Sequence, residues 1–165
     1  GFAFADRRID RVVDVAGGTG RASDGLARAG FDPVVVDRSA GMLRRARDAG
    51  HGAVRGDAEA LPLRTDAVDA AVIVDALHHL PDPDAGLAEV GRVLAPGGVA
   101  VAQEFDPRTL RGRWLVAAER LVGFDSTFRA PDALCDRLAA AGFEPRIVAE
   151  GFEYVVVGRV PTSQP

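Results

Sequence analysis

The sequence predicts an α/β fold in which a doubly wound, Rossmann-like parallel sheet is covered by helices on both faces, as one domain over residues 1–165. Short valine-rich runs alternate with longer alanine-rich runs, which is the order of strands and helices in βαβ units. The strand-like runs are largely apolar, as expected of strands that are buried on both faces. The predicted strands span 12–16, 34–37, 53–55, 68–74 and 99–105, and the predicted helices span 22–29, 40–49 and 84–94.

The C-terminal part of the chain predicts a reversed strand. A helix-like run at 131–141 precedes two strand-like runs at 145–149 and 154–160. Only residues 150–153 separate these two runs, whereas a parallel crossover needs about a dozen residues or more. We therefore expect the last two strands to pair as an antiparallel hairpin, followed by a frayed tail at 161–165.

The composition excludes several classes of protein. With 47% hydrophobic and 27% charged residues, the chain is expected to bury a core, so disorder is excluded as its main state. No apolar run approaches the about 20 residues of a membrane-spanning helix. A net charge of −4 disfavours a nucleic-acid partner. We expect a cytoplasmic protein whose single cysteine, Cys135, forms no internal disulfide.

A glycine-rich turn follows the first predicted strand and leads into a helix. Gly17, Gly18 and Gly20 let the backbone approach a ligand where a Cβ would clash, and the first amides of the helix favour negative charge. Asp37 ends the next strand, where a carboxylate can accept hydrogen bonds from ribose hydroxyls. A ligand-free turn and a cap for helix 39–49 are the alternatives. We favour nucleoside binding because both the glycine turn and the acid at the end of the next strand suit a nucleoside ligand.

The glycine spacing bears on which nucleoside binds. A dinucleotide site requires Gly-x-Gly-x-x-Gly, and counting from Gly18 and Gly20 places Ser23 at the third glycine. Asp57 follows the third strand, where it either accepts from an adenine amino group or closes a surface turn. The dinucleotide match is imperfect, so an NAD(P)-dependent oxidoreductase is an alternative function. A non-catalytic nucleoside-binding domain is another.

Four segments carry a family resemblance, and they occur in the family's order along the chain. They are residues 13–20 (VDVAGGTG), 37–43 (DRSAGML), 56–62 (GDAEALP) and 89–98 (EVGRVLAPGG). Together they resemble the class I S-adenosylmethionine-dependent methyltransferases, and in particular the methyltransferase type 11 domain. The form of the loop at 16–20 and the segment 104–107 resemble the ubiquinone/menaquinone biosynthesis C-methyltransferases. The resemblance implies a seven-stranded sheet with an antiparallel C-terminal strand.

The resemblance also implies the cofactor, S-adenosyl-L-methionine, and its contacts. Asp14 and the turn 16–20 would hold the methionine part, Asp37 the ribose, and Asp57 the adenine amino group. Three positions depart from the family: Ala16 replaces its first glycine, and His78-His79 replaces an Arg-Asn pair usual in the quinone enzymes. The implied cofactor-binding residues are Asp14, Ala16, Gly17, Gly18, Gly20, Asp37, Arg38, Met42, Asp57, Ala58 and Asp75.

Four side chains beyond the ends of predicted strands are candidate catalytic residues. A base near the transferred methyl group helps a carbon or hydroxyl acceptor, and Asp75, His78, His79 and Glu104 are placed to act as one. The alternatives are that Asp75 holds a backbone amide and that the histidines pack the loop. Adjacent histidines also suggest a metal, but His51 is the only other histidine and has no ligand spacing to them, so we expect no metal site.

An amphipathic helix is predicted after the fifth strand. Leu110, Trp114 and Leu121 share one face, between basic residues that include Arg111. We favour packing beside the sheet, with an acceptor wall or a peripheral membrane surface as alternatives. The apolar set around this helix favours a flat or lipid-like acceptor; it comprises Leu110, Trp114, Leu115, Leu121, Val122, Phe124 and Phe128.

The resemblance implies C-methylation of a quinol, with O- or N-methylation of another small molecule or of a phospholipid amine as the alternative. Only about ten residues precede the first predicted strand, whereas the resembled superfamily commonly has N-terminal lid helices over the acceptor pocket. We therefore expect 1–165 to lack these lid helices. The expected consequence is cofactor binding with poor turnover, unless a second subunit of a homodimer or another segment supplies the lid.

Overall fold

A computed structural model of the chain describes residues 1–121 and 127–162. One seven-stranded sheet forms the centre, in the order β3-β2-β1-β4-β5-β7-β6. The strands are β1 Val12–Val15, β2 Pro33–Asp37, β3 Gly52–Arg55, β4 Val68–Val74, β5 Leu94–Phe105, β6 Glu144–Ala149 and β7 Glu153–Arg159. The helices are α1 Arg21–Arg28, α2 Ala40–Asp48, α3 Pro83–Val93, α4 Leu110–Leu121 and α5 Pro131–Ala140, with short 3₁₀ turns at Phe2–Phe4 and Leu77–His79.

The topology confirms the predicted fold class. Strands β3, β2, β1, β4 and β5 are parallel neighbours. Strand β7 lies antiparallel between β5 and β6, so the predicted hairpin is inserted into the sheet beside β5. Residues 161–162 of the predicted tail carry no regular structure, and 163–165 lie outside the described residues.

The start of β5 differs from the prediction. The strand begins at Leu94, directly after α3, whereas the sequence predicted it from Val99 after a turn at the Pro-Gly-Gly segment. The β4 to β5 register shifts between the Val68–Leu94 and Ala70–Val99 pairs, so the segment is an irregularity within the strand. Gly97 has a φ of +76°, which glycine adopts without strain.

The core lies mainly on one face of the sheet. Leu87, Val90 and Val93 of α3 and Leu134 and Leu138 of α5 pack there against buried strand side chains. A smaller apolar cluster on the other face joins the strands to α1 and the N-terminal 3₁₀ turn. Among the described residues, no helix is long and apolar enough to span a membrane.

Asp69 fastens the N-terminal segment to the start of β4. Its side chain is 3% exposed and accepts hydrogen bonds from the Arg11 amide at 2.9 Å and the Arg11 guanidinium at 2.8 Å. Arg7 Nη2 lies 2.7 Å from the same carboxylate. The Arg11 side chain holds the pKa of Asp69 at about 2. Since an unfolded aspartate titrates at about 3.9, this stabilisation is complete above about pH 4 and is lost as the pH falls toward 2.

We expect Asp69→Ala to lower the free energy of unfolding by about 1.5–3 kcal/mol, the scale of hydrogen bonds to a charged group. Urea unfolding at pH 7 measures this change. Asp32→Ala is the matched control, because Asp32 is exposed and, within the described part of the chain, makes no hydrogen bond or ion pair. Equal midpoints for the two variants would contradict the role of Asp69.

Candidate active site

Most predicted cofactor residues meet at the carboxyl edge of the parallel strands. The chain reverses its winding direction at β1, between β2 and β4, and such a switch point opens a crevice at that edge. A cavity of about 180 Å³ lies there. Its walls include Ala16, Asp37, Arg38, Gly56, Asp57, Ala58, Asp75, Ala76, His79 and Leu80.

The conformation and packing of the turn 16–20 require glycine at several of its positions. Gly18 and Gly20 have φ values of +58° and +84°, which side-chain-bearing residues rarely adopt. A Cβ on Gly17 would lie 2.4 Å from the Asp14 carboxyl carbon. Ala16 also adopts the left-handed backbone conformation, with a φ of +53°. The alanine that replaces the family's first glycine thus keeps the conformation that a glycine would have. The turn places Ala16 on the cavity wall, beside a stretch of backbone that carries no side chains at Gly17, Gly18 and Gly20.

Asp37 is held by the turn and by the start of α2. Its Oδ2 accepts from the Gly18 amide at 3.0 Å and its Oδ1 accepts from the Ser39 amide at 2.7 Å. Ser39 itself is the cap of α2, because its hydroxyl accepts from the Met42 amide. Ser39 therefore caps α2, which was the alternative role considered for Asp37. A carboxylate has about four acceptor positions, so two remain for ribose hydroxyls.

Asp57 closes a tight turn, as one of the two interpretations of the sequence held, and its contact with an adenine amino group stays a prediction. Its Oδ1 accepts from the Glu59 amide at 3.0 Å, and it pairs with Ala60 across a tight turn. Asp57 nevertheless lines the cavity, as does the buried Ala58. Glu89 holds the chain just after this turn, because its carboxylate accepts a hydrogen bond from the Leu61 amide at 2.7 Å.

Five predicted cofactor residues are not on the cavity wall, namely Asp14, Met42 and the glycines Gly17, Gly18 and Gly20. Asp14 is fully buried, and Ser23 Oγ donates to its Oδ2 at 2.7 Å. Burial raises the pKa of this carboxyl group, which lies beneath the turn. Met42 is 43% exposed on α2 and lines a separate shallow groove. Direct contact of these five residues with the cofactor stays a prediction.

Asp75 and His79 line the cavity from the segment that follows β4. Arg21 Nη2 donates to Asp75 Oδ2 at 2.8 Å, so a guanidinium rather than a backbone amide is the partner of this carboxylate. Burial, and then the charge of Glu104, raise the pKa of Asp75. Desolvation, and then His78, lower the pKa of His79. Arg21 was not predictable as a site residue from sequence, because only the fold brings α1 beside the end of β4.

His78 and Glu104 form a buried pair behind the cavity. His78 Nδ1 lies 2.5 Å from Glu104 Oε2, and Glu104 Oε1 accepts from the Leu77 amide at 2.8 Å. The His78 ring stacks on Phe128 with centroids 4.3 Å apart. His78 therefore packs the loop, as one alternative held, while a carboxylate fixes its orientation. Both side chains border a small cavity of about 10 Å³.

Glu119 of α4 lies near the histidines, although no sequence motif marked it as a site residue. One ligand atom each of His78, His79 and Glu119 lies within 4.8 Å of the others. His51, the third histidine considered there, instead pairs with Asp24 at 2.8 Å and packs beside Gly20. The proximity of Glu119 depends on where α4 lies, which motif spacing does not reveal.

Helix α4 does not bury its predicted apolar face. Leu110, Trp114 and Leu121 are 75%, 73% and 89% exposed, so the favoured interpretation of packing beside the sheet is wrong for these residues. The nearby Arg108 pairs with Asp106. Two members of the predicted acceptor set, Val122 and Phe124, lie outside the described residues.

Comparison with known proteins places this geometry in a family. The model of the methyltransferase domain family matches residues 13–102. A demethylmenaquinone methyltransferase of Mycobacterium sp. (strain KMS) is 37% identical over 158 residues, which cover 88% of this chain and 69% of that protein. One from Renibacterium salmoninarum is 43% identical over 101 residues, covering 60% of this chain and 43% of that protein. The match thus spans less than half of the second relative.

A solved structure shows the same fold. An S-adenosylmethionine-dependent methyltransferase from Thermotoga maritima superposes with a TM-score of 0.83 at 26% identity, covering 93% of this chain and 83% of that one. The matched segment 13–102 contains the glycine turn and the acids after β2 and β3. The chain therefore belongs to the methyltransferase domain family of class I S-adenosylmethionine-dependent methyltransferases, whose cofactor is S-adenosyl-L-methionine.

Proposed function

We propose that this protein transfers a methyl group from S-adenosylmethionine to a ring carbon of a quinol of the demethylmenaquinone type. The observation that carries the proposal is the placement of His79, next to the His78–Glu104 pair, on the wall of the cavity that contains Asp37 and Asp57. The names of the two demethylmenaquinone methyltransferases support the choice of acceptor. The bound cofactor supplies an activated methyl group, so no covalent nucleophile is needed.

The cavity residues fit the cofactor. Asp37 would hold the ribose, because its carboxylate is oriented by two backbone amides and keeps acceptor positions. Asp57 and the Ala58 amide would hold the adenine. The turn 16–20 would hold the methionine part, and the Asp75 Oδ1 atom, which is buried and has no hydrogen-bond partner among the described residues, can accept from its ammonium group.

The histidines supply a proton acceptor. A quinol hydroxyl that loses its proton makes the adjacent ring carbon nucleophilic, and this carbon takes the methyl group as S-adenosylhomocysteine leaves. The hydrogen on that carbon is then lost and the oxygen is reprotonated, so the ring regains aromaticity and one proton is released in all. His79 lines the cavity and would accept this proton. His78 lies against it, with ring centroids 4.0 Å apart, and is held by Glu104. Glu104 thus acts by positioning His78, and Asp75 would orient the cofactor rather than accept a proton.

The exposed face of α4 would meet a lipid-like acceptor. Leu110, Trp114 and Leu121 present apolar surface, and Arg111 and Arg113 are exposed between them. This arrangement suits a cytoplasmic protein that contacts the membrane peripherally, where a prenylated quinol resides. A second subunit or a further segment would cover the acceptor and exclude water.

A radiolabelled methyl-transfer screen tests the proposed function. The acceptors compared are a reduced short-chain demethylmenaquinone, a catechol, small amines and phosphatidylethanolamine vesicles. We expect carbon-bound label in the quinol above all, and reduced labelling by Trp114→Ala. Arg64→Ala, an exposed change far along the sequence from α4, is the control. Label confined to the vesicles, to tRNA or to free amino acids would overturn the quinol assignment.

We expect methyl transfer to slow below neutral pH. The pKa of His79 is lowered, so its imidazole is neutral at pH 7 and protonates only below the about 6.5 of a free imidazole. Only the neutral form accepts a proton, so kcat should fall as the pH decreases through the pKa of His79. The kcat profile at saturating cofactor measures this fall. A profile that His79→Gln leaves unchanged would remove His79 as the proton acceptor.

A further inference from the structure

Two imidazoles and a carboxylate converge beside the cofactor cavity. His78 and His79 lie on the 3₁₀ turn after β4, and Glu119 lies on α4. One ligand atom of each lies within 4.8 Å of the other two. The fold, rather than the local sequence, brings these three residues together.

His78 has the surroundings of a metal ligand. Its Nδ1 is held by Glu104 Oε2 at 2.5 Å, and with Nδ1 as donor the lone pair is on Nε2. Metal-binding histidines commonly donate their second ring N–H to a carboxylate, which fixes the ring and its tautomer. Glu104 is fixed in turn by the Leu77 amide at 2.8 Å. The orientation of His78 is therefore set before any ligand binds.

Glu119 has an oxygen that needs a partner. Its Oε2 is buried and accepts no hydrogen bond from the side chains and backbone that the structure describes. A buried carboxylate oxygen without a partner is unfavourable, because it has lost its contact with water. A cation between Glu119 and the histidines would offset this loss.

We propose that His78, His79 and Glu119 bind a divalent transition-metal ion such as Zn²⁺. Two imidazoles and one carboxylate form a common ligand set of open metal sites, which keep a position for water or substrate. Around a tetrahedral ion bound at about 2.0–2.1 Å, ligand atoms lie about 3.3 Å apart. The three side chains must therefore approach one another from separations of up to 4.8 Å when the ion binds.

Only the role of the ion rests on the proposed function. At this place the ion would bind a hydroxyl oxygen of the acceptor and stabilise the form that has lost its proton to solvent. His79 would thus accept the hydroxyl proton in the metal-free protein, and the ion would replace it in this role when bound. Binding of the ion itself requires no acceptor.

Calorimetric titration of the chelator-treated protein with Zn²⁺ tests the site, and the visible absorption spectrum of added Co²⁺ reports its coordination. We expect one ion per chain. His79→Ala and Glu119→Gln should each weaken binding by about 100-fold, and Glu104→Gln by about 10–100-fold, as for the loss of an orienting partner. His51→Ala is the matched control, because His51 lies outside the cluster and should leave binding unchanged.

The outcomes separate the metal site from the proposed function. No Zn²⁺ binding, or equal affinity for the protein and Glu119→Gln, overturns the metal site whether or not quinol methylation is observed. Loss of binding in His51→Ala also overturns it. Zn²⁺ binding with the expected variant pattern, in a protein that methylates no quinol, overturns the proposed function and upholds the site.

Discussion

Replacement of Glu104 by glutamine is expected to lower kcat for methyl transfer to a reduced short-chain demethylmenaquinone by about 10- to 100-fold, the range for loss of a partner that orients an imidazole. The carboxylate holds His78 Nδ1 and the Leu77 amide at once. Glutamine keeps the shape of the side chain but removes the charge and one of the two acceptor oxygens. The loss should therefore appear in kcat, with a smaller change in KM for the acceptor.

Two further measurements separate positioning from collapse of the site. The affinity of Glu104→Gln for S-adenosylhomocysteine should stay near that of the unchanged protein, because Glu104 does not line the cofactor cavity. Its Tm should show that it folds. Glu150→Gln, at an exposed position, is the matched control and should retain full activity. Full activity in Glu104→Gln would remove the buried pair from the mechanism.

Asp37→Ala should weaken S-adenosylhomocysteine binding by about 1.5–3 kcal/mol, which corresponds to about 10–150-fold in Kd. The variant removes the ribose acceptor and frees the Gly18 amide that Asp37 holds at 3.0 Å. Both effects lower affinity, since the glycine turn also loses its anchor. Calorimetry on the two proteins measures the change.

Asp48→Ala is the control for Asp37→Ala, because Asp48 lies at the other end of α2 and outside the cofactor cavity. It should bind S-adenosylhomocysteine as the unchanged protein does. An affinity that Asp37→Ala leaves unaltered would refute the ribose role and leave the cavity without its principal polar anchor.

The residues at the carboxyl edge of the sheet were predictable from sequence, because the local sequence shows where each strand ends. A strand that ends in a glycine turn or an acid places that group at the carboxyl edge, and this is where Asp37 and Asp57 lie. The short 150–153 connection likewise allowed only an antiparallel pair, which β6 and β7 form. The start of β5 was missed because the bulge at 94–99 depends on pairing with β4.

The contacts between side chains were not predictable in the same way. Glu104 and His78 were each placed beyond a strand end, but their 2.5 Å contact depends on the alignment of β5 with the turn after β4. Arg21 and Glu119 approach the site from helices whose positions are set by tertiary packing. The exposure of Trp114 was missed because helical periodicity indicates an apolar face without saying what covers it.

Titration calorimetry with S-adenosylhomocysteine and, separately, with NADH tests most directly whether this cavity is a methyl-donor site. We predict that S-adenosylhomocysteine binds at one site per chain and raises the Tm; at 100 times its Kd the free energy of unfolding should increase by about 2.7 kcal/mol. NADH should give little or no heat of binding. A tight NADH complex, or a folded protein that fails to bind S-adenosylhomocysteine, would contradict the assignment of the cavity.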